Sequence, residues 1–88
     1  YGIDAIHGTN YTKRATIFPQ AISIAASRNK DLVRKVAEIT AYETKASGIP
    51  WDFNPVLGLG RQPLWSRFFE TYGEDVYLTK TLGAEYIK

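Results

Sequence analysis

Apolar and polar positions first alternate over Tyr1–His7, where Ile3 and Ile6 stand around Asp4 and Gly8 ends the run. That pattern predicts a short strand entering a loop. Gly8–Thr16 is polar and holds Lys13 and Arg14, a loop composition. Pro19 sits where the first turn of a helix accepts it, since the N–H it lacks is unpaired there anyway. The Ala21–Ala26 run that follows predicts a short helix. A stronger helix is expected over roughly Lys30–Ser47, with Asn29 as N-cap and Asp31 in the first turn. Leu32, Val36 and Ile39 follow an i, i+4, i+7 line, and Val33, Ala37 and Ala41 widen the stripe. Asp31 and Lys35 are spaced as a favourable i, i+4 pair, worth only ~0.2–0.5 kcal/mol. Gly48 is placed for a left-handed C-cap, and Pro50 forbids continuation.

A second strand is expected over Trp51–Leu57, where Trp51 and Phe53 alternate with Asp52 and Asn54 and Pro55 suits the strand end. Gly58–Gly73 is a long irregular segment containing Trp65, Phe68, Phe69 and Tyr72, with Arg61, Arg67 and Glu70. Loops of that length in compact domains are usually functional or disordered, and the aromatics argue against disorder. A last helix is expected from about Asp75 to Lys88, with Leu78, Leu82 and Tyr86 on one face. Strands alternating with helices indicate βα units and a parallel sheet, so the fold class is α/β. Parallel strands need helices on both faces or closure into a barrel. A complete (β/α)8 barrel of the TIM type takes about 250 residues, so this chain is read as an incomplete part of one. No internal repeat or low-complexity tract interrupts the pattern.

Composition narrows the function classes. The 88 residues make one domain at most, with a marginal core that buries only roughly 60% of the unfolded surface. Eleven Lys and Arg against nine Asp and Glu give a formal charge of +2, too weak a bias for a nucleic-acid partner. With no Cys, disulfide scaffolds, Cys-based zinc sites and thiol nucleophiles are excluded. No apolar run reaches about 18 residues, so no membrane span is expected. No signal peptide is visible. The chain opens at Tyr1 on strand-like residues and lacks Met, and is expected to be an interior piece of something longer.

In a barrel, functional groups lie at the C-terminal strand ends and in the loops that follow. Asp4 and His7 end the first strand, while Asn54, Arg61, Arg67 and Glu70 lie at the end of the second or in its loop. Acid, base and hydrogen-bonding groups thus cluster on one rim. Each also has an ordinary structural reading: Asp4 as a turn cap, His7 as a hydrogen-bonded imidazole, the arginines as solvated charge. Gly58-x-Gly60 lacks the third glycine of a dinucleotide fingerprint, and Asn10-Tyr11-Thr12 is a glycosylation sequon that matters only in a secretory context. No His, Asp and Glu spacing marks a metal site, and no cofactor is implied.

The stretches Gly2-Ile3-Asp4-Ala5-Ile6-His7-Gly8, Ala15-Thr16-Ile17-Phe18-Pro19, Ser47-Gly48-Ile49-Pro50 and Trp65 to Asp75 add more. In this order and spacing they resemble the N-terminal barrel domain of glycoside hydrolase family 3, over essentially the whole chain. The Ile-Asp-Ala-x-His-Gly form is most similar to the β-glucosidase and exo-β-glucanase branch. The resemblance implies that Asp4 and Arg67 bind hydroxyls of the sugar in the −1 subsite. His7, Arg61 and Glu70 match motif positions standing behind those contacts. Glu70, three residues from Arg67, is placed to orient it. Gln62, Ser66 and Val76 depart from the Asp, Gly and Pro usual in the family's pattern, which bears on the loop's conformation.

The resemblance further implies a retaining hydrolase that releases terminal β-D-glucose, with two carboxyl groups about 5–5.5 Å apart. The nucleophilic Asp and the acid/base Glu are expected beyond this segment, so none of its nine acidic residues takes either role. Implied partners are a β-linked oligosaccharide or glucoside, the remainder of the barrel and a second domain; the implied location is periplasmic or secreted. Two other readings stay open: a small carbohydrate-binding module stacking sugars on Trp51 and Trp65, and a structural βα unit with no ligand.

Overall fold

Local signals decide where the helices begin and end. The computed structural model describes residues 1–88, in the order β1 (Gly2–Ile3), α1 (Ala21–Ala26), α2 (Lys30–Ala46), β2 (Trp51–Asp52), a 3₁₀ turn (Phe68–Glu70) and α3 (Val76–Ile87). Asn29 caps α2, its side-chain oxygen accepting from the amides of Asp31 at 3.0 Å and Leu32 at 3.1 Å. At the other end Gly48 takes φ 76°. Its amide bonds the Lys45 carbonyl at 3.0 Å and the Ile49 amide bonds that of Thr44 at 3.1 Å, the paired bonds of a Schellman motif. Asp75 starts α3 by accepting the Leu78 amide at 2.6 Å.

The buried face of α2 differs from the Leu32–Val36–Ile39 line. It consists of Val33, Val36, Ala37, Thr40 and Thr44, while Leu32 is 44% exposed. The stripe is rotated because two threonines meet a third. The Thr9 hydroxyl donates to the Thr40 carbonyl at 3.2 Å and lies 2.7 Å from the Thr44 hydroxyl, which can donate back to it. The Thr9 and Thr44 hydroxyls satisfy each other and Thr40 takes part through its carbonyl, its own buried hydroxyl having no partner, so threonines line this face where polarity would place them outside. Lys35 pairs with Glu38 at 3.4 Å, and the expected Asp31–Lys35 pair does not form.

The core lies between the helices. Ile24 and Ala25 of α1, Val33 and Val36 of α2, Leu82 of α3 and Tyr72 form one cluster, with Phe18, Ala21, Leu78 and Tyr86 packed around it. Leu78, Leu82 and Tyr86 therefore share a face as the spacing predicts. Burial pushes the Tyr86 hydroxyl up to about 12 and that of Tyr72 well above the usual tyrosine value, so both phenols stay neutral.

Both strands are shorter than the alternation predicts. They pair in parallel, Gly2 opposite Trp51 and Ile3 opposite Asp52, as expected for βα units. Main-chain pairing ends where the Phe53 amide donates to the Ile3 carbonyl at 2.9 Å. Beyond that point Asp52 Oδ1 accepts from the amide of Asn54 at 3.1 Å, and a side chain folded back on its own backbone terminates a strand. Pro55 then has no N–H to offer. Side chains alternate across a parallel pair, so Gly2, Asp4, Trp51 and Phe53 share one face and Ile3 and Ala5 the other. The second face is buried and the first is largely open.

Candidate functional site

Arg67 caps the 3₁₀ turn, its carbonyl accepting the Glu70 amide at 3.0 Å. In such a turn the side chains at i and i+3 eclipse, so Arg67 and Glu70 emerge together. Arg67 Nε and Nη2 both donate to Glu70 Oε2, at 2.9 and 2.6 Å. Nη2 also donates to Asp4 Oδ1 at 3.0 Å, across 63 positions of sequence. Asp4 stands one residue past β1, on the open face of the sheet. The structure therefore brings together three of the five residues that the family resemblance singles out.

Burial grades this cluster from back to front. The Glu70 side chain is only 7% exposed, against 43% for Arg67 and 41% for Asp4. Glu70 forms the floor, and the guanidinium and the Asp4 carboxylate form an edge open to solvent. The Glu70 hydrogen bonds, then the Asp4 one, raise the Arg67 guanidinium further above its ordinary value, so its charge is fixed. Arg67 Nη1 and Asp4 Oδ2 make no hydrogen bond within the chain and are available outward. A fixed donor beside a fixed acceptor suits a ligand whose groups both give and take hydrogen bonds, as hydroxyls do.

The other two lie apart from the cluster. His7 Nδ1 is 3.1 Å from the Phe18 carbonyl, and the Phe18 amide donates to the His7 carbonyl at 2.9 Å. His7 thus pins the far end of the Gly8–Phe18 loop, and Glu43 holds the same end through the Thr16 amide and hydroxyl, both at 2.9 Å. Arg61 is exposed and its side chain forms no hydrogen bond or ion pair. Trp51 is 63% exposed and meets Phe53 edge-on, centroids 4.8 Å apart. Trp65 covers Gly58 so closely that a Cβ there would stand 2.9 Å from its ring. Asp52 stands outside the residues that the sequence pattern singles out. Its signal is the Asp-x-Asn spacing of an Asx turn at a strand end. No three His, Cys, Asp or Glu side chains gather as a metal site, and no helix is long and apolar enough to cross a membrane.

Comparison with known proteins bears on the chain as a whole. The family model for the glycosyl hydrolase family 3 N-terminal domain matches residues 1–88. A lysosomal beta glucosidase of Dictyostelium discoideum is 49% identical over 88 residues, all of this chain and 11% of the relative. A periplasmic beta-glucosidase of Salmonella typhimurium is 35% identical over the same span, again 11% of its length. A solved β-glucosidase involved in saponin metabolism from intestinal bacteria superposes on 99% of the chain with a TM-score of 0.94 at 39% identity, covering 11% of that structure. The chain thus spans about a tenth of the length of these relatives. Matched along its full length by the family model, the chain belongs to glycosyl hydrolase family 3, within its N-terminal domain.

Proposed function

We propose that this chain is part of the (β/α)8 barrel domain of a β-glucosidase, where Asp4 and Arg67 hold hydroxyls of a terminal β-D-glucose in the −1 subsite. The observation that carries this is the solvent-facing edge formed by Asp4 and Arg67 over a buried Glu70. Each charge-assisted hydrogen bond to a sugar hydroxyl contributes about 1.5–3 kcal/mol. Together the two groups fix ring orientation before bond cleavage. Hydrolysis proceeds with retention, through a nucleophilic Asp and an acid/base Glu supplied from outside these residues. Neither Asp4 nor Glu70 fits those roles, because both carboxylates are bound to Arg67. The remaining barrel strands cover the open sheet face, and a second domain completes the active site. An exported or periplasmic location accompanies this reading.

The test uses the full-length enzyme that carries this segment. Arg67→Ala is expected to lower kcat/KM for an aryl β-glucoside by roughly 10² or more, equivalent to ~3 kcal/mol of lost transition-state contact. Asp4→Asn is expected to lower it strongly with a near-normal melting temperature. Normal kcat/KM in both variants, or a collapse of stability in Asp4→Asn, would refute the placement.

A further inference from the structure

We infer that Asp52 is a positioning residue for Asp4. The inference rests on the reading of Asp4 as a hydroxyl-binding carboxylate. In a regular parallel ladder, the rung after Phe53 N–H to Ile3 C=O would run from the Ala5 amide to the Phe53 carbonyl. Here the Ala5 amide donates instead to Asp52 Oδ1, at 3.1 Å. The same oxygen accepts from the Asn54 amide and Asn54 Nδ2, at 3.1 and 3.3 Å, which holds the carboxylate in place. Asp4 therefore sits between a main-chain rung on Ile3 and a side-chain rung on Ala5. β1 ends, yet its last residues stay tethered to β2. Without the Asp52 rung, the backbone at Ala5 loses its tie to the neighbouring strand, and Asp4 keeps only the pull of a partly exposed Arg67. A substrate-binding group displaced by about 1 Å can cost a hundredfold in rate.

The test is a double-mutant cycle in the full-length enzyme, with hydrogen exchange read at the Ala5 amide. Asp52→Ala is expected to lower kcat/KM for an aryl β-glucoside by about tenfold or more, mostly through KM, and to speed Ala5 exchange by a similar factor. Asp52→Asn keeps an Oδ1 acceptor and is expected to stay within about threefold on both readouts. In an Asp4→Asn background, Asp52→Ala is expected to add less than about twofold, since its effect passes through Asp4. An equal loss in both backgrounds, an Asn variant as damaged as the Ala variant, or unchanged Ala5 exchange overturns the inference. If Asp52→Ala does not fold, Asp52→Glu replaces it, its longer arm carrying the acceptor past the Ala5 amide. Normal kcat/KM in Asp4→Asn alone overturns the subsite reading itself. A damaged Asp4→Asn enzyme whose Ala5 exchange ignores Asp52 overturns the tether alone.

Discussion

Gly8 and Gly48 have nearly the same backbone, φ 75° and 76°, but different surroundings. A Cβ on Gly48 would meet nothing within 4 Å, whereas one on Gly8 would stand 2.6 Å from the Thr16 carbonyl and 2.9 Å from the Phe18 ring. Gly48→Ala therefore carries only the left-handed penalty of about 1–2 kcal/mol. Gly8→Ala adds a clash with backbone that His7 and Glu43 hold from both sides, and is expected to be clearly the more damaging. Melting temperatures of the two variants in the full-length protein check this; equal losses would mean the loop yields freely. The same distinction governs how far single residues could be read from sequence. The left-handed role of Gly48 follows from its place after a helical pattern. The Arg67–Glu70 pair was legible because three residues of spacing bring the two side chains together in a helical turn. The Asp4–Arg67 contact was not, since no local rule connects positions 63 apart; family likeness implied one shared subsite for the two residues but no bond between them. The part played by Asp52 depends on strand register, which alternation does not specify.

Among elements, α2 and α3 form the principal helix pair, and an ion network ties them across the surface. Arg34 of α2 donates through Nε and Nη2 to Glu85 Oε2 of α3, and Lys88 approaches Glu85 Oε1 at 2.9 Å. The hydrogen bonds from Lys88, then Arg34, lower the Glu85 carboxyl from the usual 4.5 to about 2. A carboxyl whose folded value lies below its unfolded one stabilises fully above the unfolded value, and that contribution disappears as pH falls through the folded value. The window therefore runs from about 4.5 down to about 2. Glu85→Gln should thus melt below the wild type near neutrality, with the gap narrowing as the pH is lowered beneath about 4.5. A gap independent of pH across that range would show that the network contributes nothing through charge. Added salt should narrow it too, because Arg34 and Lys88 are well exposed. Helices were the legible elements: caps, dipole-matched charges and stop residues are all local. Strand lengths were not, because alternation continues past the point where Asp52 turns its side chain onto the backbone.

At the scale of the whole molecule, the apolar surface is incompletely covered. The chain exposes 5777 Å², against about 5,200 Å² from the mass scaling of compact monomers at 9.9 kDa. Part of the exposed apolar area lies on one side of the two-stranded sheet, where Trp51 and Phe53 stand beside Asp4. More lies at Leu57, Val76 and Ile87. A buried set of nine hydrophobic residues, with Tyr72 the one aromatic among them, is a thin core for three helices. Expressed alone, the 88 residues should accordingly melt broadly rather than in one sharp transition, and Trp51 should be readily quenched by acrylamide in a Trp65→Phe background. In the full-length protein the same Trp51 should be shielded, because further barrel strands would lie against that face. The isolated chain is also expected to release no product from an aryl β-glucoside, since Arg67 already engages both carboxylates of its cluster. A sharp melt together with turnover by the 88 residues would contradict the placement of catalysis outside them. Equal quenching of Trp51 in the two contexts would mean that the open face is not where the rest of the barrel closes.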